Sequence, residues 1–132
     1  MTPAPPGEQG TEGPSSARDL GHQGEELAAR FYERQGYEVE ATNWRRREGE
    51  VDLIVRRGRT VVFCEVKTRS GDRFGTGAEA VVASKQRRTR RLAARWLSEL
   101  TPASGRPFVD IRFDVASVSA LTGQVEVIEA AF

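Results

Sequence analysis

The most constraining feature of the chain is the stretch GEVDLIVRRGRTVVFCEVKTR, which runs from Gly49 to Arg69. Its two apolar runs, separated by RRGR with Gly58 at the centre, predict two β-strands joined by a tight turn. The first strand carries Asp52, and the second carries Glu65 and Lys67. Charged residues inside a sheet cost free energy unless they are paired or functional. The hairpin is therefore predicted to form both the centre of the fold and a functional site.

Side chains alternate between the two faces of a strand, which groups the charged residues of this hairpin. Strict alternation places Glu50 and Asp52 on one face and Val51 on the other, and it places Glu65 with Lys67. The hairpin can then bring Asp52 beside Glu65 and Lys67. Two close carboxylates repel unless a cation separates them, and hard oxygen ligands suit Mg²⁺ or Mn²⁺. Lys67 would orient or activate a water, or stabilise a developing oxyanion.

The lysine at position 67 is informative because this chain carries nearly all its positive charge as arginine. Of 20 basic residues, only Lys67 and Lys85 are lysine. A compact ammonium group whose pKa can shift is what distinguishes lysine from arginine. Lys67 is therefore predicted to have a chemical role in which arginine would fail. The alternative interpretation is a cross-strand ion pair between Asp52, Glu65 and Lys67 on a solvated face.

The first helix offers one further acid. With Leu27, Ala28 and Phe31 as the apolar stripe, Glu25 lies about 115° from the centre of the stripe and Glu26 lies nearly opposite to it. Glu25 can thus reach the edge of the sheet, whereas Glu26 is expected to point to water. If a third carboxylate joins the site, it is Glu25.

The order of predicted elements indicates the fold class. Residues 1–18 hold four of the six prolines and almost no apolar residues, so they are predicted to be a disordered tail before a single domain over 19–132. The domain contains a helix over 19–35, strands over 37–43 and in the hairpin, a glycine-rich loop over 70–79, a helix from the N-cap Ser84 to Glu99, a strand over 108–118 and, as an open alternative, a fifth strand over 124–130. This α-β-β-β-α-β(-β) order predicts an α/β fold with a mixed sheet flanked by helices.

Basic residues are clustered although the net charge is only +1. Six of them lie between Lys85 and Arg95 without an acid, and Arg45 to Arg47 form a second cluster in a predicted loop. Local basic patches on a near-neutral protein indicate an anionic partner, although such a run can also be a solvated helix face. The residues predicted to contact nucleic acid are Arg45, Arg46, Arg47, Arg69, Lys85, Gln86, Arg87, Arg88 and Arg91.

The sequence also argues against several classes of protein. No apolar run approaches the roughly 20 residues of a membrane helix, and no secretory signal is evident, so a cytoplasmic location is expected. Cys64 and His22 are too few for a structural zinc site; Cys64 is expected in the core and His22 on the surface or at a helix start. Trp44 is expected to pack, or else to offer a stacking surface beside Arg45. Gln86 either reaches the site or is inert.

These motifs together resemble a known family. GEVDLI followed by CEVKTR is similar to the Asp…(Asp/Glu)-x-Lys signature of the restriction-endonuclease-like, or PD-(D/E)xK, superfamily. With the helix motif GHQGEELAARFYERQGYEVEATNWRRREGEVDLI, the segment GTGAEAVVASKQRRTRRLAARWL and the strand motif RFDV, the chain resembles the YraN-like family of small bacterial proteins over about Leu20 to Val118. Asp114 fits the RFDV pattern and is expected to have only a structural role. The Gln-x-x-x-Tyr pattern of some relatives is incomplete, because Arg90 follows Gln86 in the tyrosine position.

The resemblance implies a restriction-endonuclease-like core and specific roles at the site. Asp52 and Glu65 would ligate the metal, with the main-chain carbonyl of Val66 as a further ligand. Lys67 would be the catalytic lysine. Glu25 would match the helical acid of Holliday-junction-resolving members.

We therefore expect a Mg²⁺- or Mn²⁺-dependent endonuclease that hydrolyses DNA phosphodiesters. Its arginines would hold backbone phosphates, which gives affinity without sequence readout, so selectivity for DNA structure is expected. The partners expected besides DNA are a second copy of the chain, which a resolvase-like role would imply, and a DNA-processing protein. The alternative function is a non-catalytic nucleic-acid-binding module that assists a DNA-processing complex.

Overall fold

The computed structural model describes residues 17–70, 82–100 and 108–132, with side chains in the first range described from Leu20 onward. The elements are helix α1 (Ala17–Arg34), strands β1 (Glu38–Arg46), β2 (Gly49–Arg57) and β3 (Thr60–Arg69), helix α2 (Ala83–Ser98), and strands β4 (Asp110–Ser119) and β5 (Val125–Ile128). The strands form one sheet in the order β1-β2-β3-β4-β5. This α/β fold and its element order confirm the prediction, including the fifth strand.

The sheet is mixed because one connection crosses over it. Strands β1, β2 and β3 pair antiparallel through short turns, and β4 pairs antiparallel with β5. Strands β3 and β4 are parallel, and α2 lies between them in the chain. Parallel neighbours need such a crossover, since a tight turn can join only antiparallel strands. No helix among the described residues is long and apolar enough to cross a membrane.

Each face of the sheet is covered by one helix. On one face Ala28 and Tyr32 of α1 pack with a cluster that includes Leu53 and Cys64. On the other face Leu92 and Trp96 of α2 pack with a cluster built on the aromatic residues of β3 and β4. Strand β3 is therefore buried on both faces, which explains its continuous apolar run. Cys64 is a core residue, as predicted.

The structure changes three boundaries predicted from sequence. Helix α1 begins at Ala17, two residues earlier than expected. Arg45 and Arg46 are strand residues and not loop residues, because β1 continues to pair with β2 down to the turn at residues 47 and 48. The N-cap of α2 is Val82 and not Ser84, and no side chain caps this helix. The tail is predicted over residues 1–18, of which residues 17 and 18 belong to α1; residues 1–16 and most of the glycine-rich loop lie outside the described residues.

Gly24 lets α1 approach β3 closely, which sets the position of the next residue, Glu25. A Cβ atom at Gly24 would overlap the Thr68 hydroxyl. Gly24→Ala is therefore expected to lower the free energy of unfolding by about 1–3 kcal/mol, the usual cost of overpacking. The matched control is Gly21→Ala on the same helix, where nothing lies within 4 Å of the new Cβ. That change is expected to stabilise the protein by about 0.5–1 kcal/mol because alanine favours helix. Urea unfolding checks both, and a Gly24→Ala protein as stable as Gly21→Ala would refute the close contact.

Candidate metal centre

The β2–β3 hairpin opens where its acids lie. Regular pairing of the two strands ends at Leu53 and Cys64. At the next position the Val66 N–H donates a 2.9 Å hydrogen bond to Asp52 Oδ2 in place of a main-chain carbonyl. On the other side of β2, Asn43 of β1 adopts a left-handed φ of 49°. Regular strand geometry is thus interrupted on both sides of Asp52, at the end of the paired part of the β2–β3 hairpin.

This opening also breaks the alternation predicted for β2. Strict alternation groups Val51 with Leu53 and Val55 on one face. In the structure Val51 packs with Ile54 in the cluster under α2, while Leu53 and Val55 pack under α1. The physical reason is the interrupted ladder at Asp52, because alternation holds only where pairing is regular.

Three carboxylates converge at the opening. Glu25 comes from α1, and Glu50 and Asp52 come from β2; one oxygen of each lies within 4.8 Å of the others. All three side chains are half-buried. Oxygens at this spacing can surround a cation that binds at about 2.0–2.6 Å from each ligand, as Mg²⁺ and Ca²⁺ do. The donor set therefore fits a hard divalent ion, and the acidic triad Glu25/Glu50/Asp52 could form a metal site.

Asn43 holds two of these acids together. Its side-chain amide donates to Glu25 Oε1 at 2.8 Å and to Glu50 Oε2 at 2.9 Å. The other oxygen of Glu50 accepts from Arg45 Nη2 at 3.1 Å. An amide has two N–H donors, so one asparagine can orient two carboxylates at once. The left-handed backbone of Asn43, which asparagine tolerates better than most residues, aims that amide into the site.

Glu65 is held differently from the triad. It is buried, and its Oε2 lies 2.9 Å from Lys85 Nζ and 3.7 Å from Lys67 Nζ. Both lysines of the chain therefore meet at one carboxylate oxygen. Val66, the predicted main-chain ligand, adjoins the site through its N–H; metal binding by its carbonyl stays a prediction.

The helical acid lies where the periodicity of α1 predicts. Glu25 is half-buried in the triad, whereas the Glu26 side chain is 68% exposed and pairs with Arg30 at 3.6 Å. Sequence reasoning did not assign Glu50 to the site, although alternation already placed it on the face of Asp52. It also missed Asn43, for which no sequence signal existed.

Burial and mutual repulsion shift the acids toward their protonated forms. Burial is the main cause that raises the pKa of Asp52 to about 7; the charge of Glu65 adds to it, and the Val66 N–H opposes it. The pKa of Glu25 is also raised, chiefly by burial, against the Asn43 hydrogen bond and the nearby His22. A site whose acids resist ionisation gains most from a cation that neutralises them.

Stability without metal is expected to fall with rising pH because of Asp52. Its folded-state pKa of about 7 exceeds the unfolded value of 3.8, so the folded protein binds the proton more tightly. The stabilising effect is complete below about pH 4 and is lost as pH rises through about 7. Urea unfolding in EDTA should show wild type losing roughly 1–3 kcal/mol relative to Asp52→Asn between about pH 5 and pH 8. A difference that does not vary with pH would contradict this expectation.

Several predicted nucleic-acid residues are engaged within the protein. Arg46 Nη2 pairs with Glu99 Oε1 at 2.6 Å, and its guanidinium lies 4.3 Å from the centroid of the Trp44 ring. Trp44 itself packs against the cluster under α2, as predicted, and its alternative role as a stacking surface beside Arg45 stays a prediction. Arg45 and Lys85 face acids of the site. Nucleic-acid contact by all of these side chains stays a prediction.

Four other predicted contacts are exposed on the surface. Arg47, Arg87, Arg88 and Arg91 are exposed and have no ion-pair partner among the residues that the structure describes. Arg69 is half-buried at the end of β3, and its Nε has no hydrogen-bond partner in this part of the chain. Gln86 is partly buried near the start of α2, and His22 is exposed on α1.

Comparison with known proteins places the chain in a family. The model of the uncharacterised protein family UPF0102 matches residues 24–118. A UPF0102 protein of Frankia casuarinae is 55% identical over 109 residues, which cover 82% of this chain and 89% of the relative. One from Nocardia farcinica is 53% identical over 110 residues, covering 83% and 84%, and one from Symbiobacterium thermophilum is 48% identical over 102 residues, covering 77% and 83%. The chain therefore belongs to the uncharacterised protein family UPF0102.

Proposed function

We propose that the protein is a divalent-metal-dependent nuclease that hydrolyses DNA phosphodiesters on a restriction-endonuclease-like core. The observation that carries this proposal is the half-buried acidic triad Glu25/Glu50/Asp52 at the opening of the central hairpin. A buried glutamate and two lysines adjoin it. The pKa values of Asp52 and Glu25 are raised, and three carboxylates lie close together beside two ammonium groups. This arrangement costs free energy that a purely structural role would not require, which favours a functional site.

The chemistry follows from the side chains that meet there. A Mg²⁺ or Mn²⁺ ion held by the triad would polarise a phosphoryl oxygen and lower the pKa of its bound water. Asn43 would keep Glu25 and Glu50 in place for that ion. Lys67, next to Glu65, would position the attacking water or offset charge that develops on the phosphoryl oxygens.

The substrate is proposed to be DNA, recognised through its backbone. Arg47, Arg87, Arg88 and Arg91 are exposed basic residues on the β1–β2 turn and on α2. Arginines of this kind bind phosphates and carry no sequence information by themselves. A domain of this size offers little further surface for reading bases. We therefore propose selectivity for branched, flapped or single-stranded DNA, acting as a homodimer or with a processing partner if two strands are cut.

The test is cleavage of labelled single-stranded, duplex, flap, fork and four-way-junction DNA with Mg²⁺, Mn²⁺ or EDTA. Glu25→Gln is expected to weaken Mn²⁺ binding and metal-dependent cutting by at least about 10- to 100-fold, the range for removing only an outer-shell partner of a metal ligand. The matched control is Glu26→Gln, which removes the neighbouring acid of the same helix on its exposed side. Its activity is expected to equal that of wild type. Cutting that persists in EDTA, or equal losses in both variants, would refute the proposed site.

A non-catalytic nucleic-acid-binding module is the second candidate. It is favoured by the pairing of Glu65 with two lysines, which neutralises this acid without a metal. Such a module would bind the same DNA panel through its exposed arginines and cut none of it. Binding would then be indifferent to EDTA and to Glu25→Gln.

A further inference from the structure

Lys85 occupies a position that helix stability does not explain. It lies in the first turn of α2, which contains no acidic residue and has no side-chain cap. The N-terminus of a helix carries partial positive charge, so a cation there is unfavourable. Lys85 must therefore be held by a contact outside its own helix, and that contact is Glu65 Oε2 at 2.9 Å.

The contact competes with metal binding at the same site. The Glu65 side chain is 8% exposed, so the ammonium of Lys85 covers an oxygen that has little other access. Glu65 precedes Val66 on β3, and the Val66 N–H donates to Asp52 Oδ2 at 2.9 Å, so this part of β3 adjoins the triad. A divalent ion bound there would draw Glu65 toward itself and weaken its hold on Lys85, because both cations compete for one carboxylate.

Lys85 also adjoins the exposed basic side of α2. Arg88 follows it by three residues and Arg91 by six, so the three lie along one side of the helix. The Lys85 side chain is 32% exposed, and Arg88 and Arg91 are exposed. An ammonium group released from Glu65 would thus extend the row of phosphate contacts toward the acidic triad.

We propose that Lys85 is a positioning residue that holds Glu65 in the metal-free protein and yields it to the divalent ion, after which its ammonium binds a DNA phosphate. The exchange on Glu65 concerns the metal alone, and the phosphate contact rests on the proposed nuclease function. Metal loading and DNA binding are thereby coupled through one side chain. Lysine suits this exchange, since arginine forms a planar bidentate pair with a carboxylate that is harder to open.

Two substitutions at Lys85 are expected to change Mn²⁺ affinity in opposite directions. Removing the competing cation in Lys85→Gln should tighten Mn²⁺ binding by about 10- to 100-fold, as the loss of one charged hydrogen bond implies. Lys85→Arg should weaken Mn²⁺ binding, since guanidinium competes better for Glu65. The control is Arg91→Gln, which removes one positive charge from the same helix at a residue that is not paired with Glu65. Its Mn²⁺ affinity should equal that of wild type. Isothermal calorimetry measures all four proteins, with circular dichroism to confirm that each is folded.

DNA affinity supplies a second readout. With Mn²⁺, Lys85→Gln should weaken binding of a labelled four-way junction, measured by stopped-flow anisotropy before cleavage, and should reduce the salt dependence by about one phosphate contact. In EDTA the same substitution should have no effect, because Lys85 is then engaged with Glu65. Arg91→Gln should weaken DNA binding equally in Mn²⁺ and in EDTA.

The outcomes separate this inference from the proposed function. Weaker Mn²⁺ binding in both Lys85 variants would mark a structural role and overturn the exchange. Wild type that binds Mn²⁺ and cuts DNA, with Lys85 variants of unchanged Mn²⁺ affinity, would overturn the exchange and leave the nuclease standing. Wild type that binds no Mn²⁺ would overturn both.

Discussion

Asp52→Asn is expected to abolish metal-dependent DNA cleavage while leaving the protein folded. The loss of activity should exceed about 100-fold, the upper range for removing only an outer-shell partner of a metal ligand. Asparagine keeps an oxygen that can accept the 2.9 Å hydrogen bond from the Val66 N–H, so the opening of the hairpin is retained. The substitution also removes a buried charge that Glu65, Glu25 and Glu50 repel. Without metal at about pH 8, the free energy of unfolding should therefore equal or exceed that of wild type.

The decisive measurement compares single-turnover cleavage of the preferred DNA by wild type and Asp52→Asn across a Mn²⁺ titration. The thermal midpoint of each protein, taken with and without Mn²⁺, serves as the control. Wild type should gain stability from Mn²⁺, because an ion that binds only the folded state stabilises it. The variant should gain none. Residual cutting within tenfold of wild type, or an equal gain in thermal midpoint, would remove Asp52 from the metal site.

Asp114→Asn is expected to cause the largest loss of stability, about 3–5 kcal/mol, as for breaking a buried ion pair. Asp114 is fully buried and accepts four hydrogen bonds. The Tyr32 hydroxyl donates at 2.6 Å, Arg112 donates twice at 2.9 Å, and the Ala130 N–H donates at 3.0 Å. In asparagine, an NH₂ group replaces one of the two accepting oxygens and would face groups that also donate. The charge of Arg112 would then be poorly compensated. Burial and the adjacent acid also raise the pKa of the Tyr32 hydroxyl, so this hydroxyl remains a donor.

The matched control is Asp110→Asn, the same chemical change at an exposed position of the same strand. It is expected to alter the free energy of unfolding by less than about 0.5 kcal/mol. If Asp114→Asn yields no folded protein, Tyr32→Phe tests the network more gently with an expected cost of about 1–2 kcal/mol. Urea unfolding measures all three. A cost for Asp114→Asn no larger than for Asp110→Asn would show that the network does not stabilise the fold.

The fold was largely readable from the chain because its core elements repeat a strong local pattern. The two apolar runs on either side of Gly58 indicated the central hairpin, and its second strand, β3, contacts the clusters under both helices. Boundaries were less accurate: Arg45 and Arg46 belong to β1, because pairing with β2 outweighs the preference of a charged run for a loop.

The candidate site was predicted in part. The helical period distinguished Glu25 from Glu26, since orientation on a helix depends only on position in the sequence. The strand period grouped Glu50 with Asp52, yet only the structure showed that Glu50 converges with Glu25. The approach of Asn43 to both acids depends on a left-handed backbone conformation that no local pattern announced.

The sequence by itself determined the order of elements and the central hairpin with Asp52 and Glu65 on it. Periodicity and turn chemistry act over a few neighbouring residues, so they can be recognised without the structure. Only the tertiary structure decided which charges meet. Lys85 reaches Glu65 across 20 positions of the chain, and Glu25 reaches Glu50 through Asn43, because the crossover and the close packing of α1 on β3 bring them together. Such contacts arise from the docking of helices on the sheet, and that docking depends on the whole core.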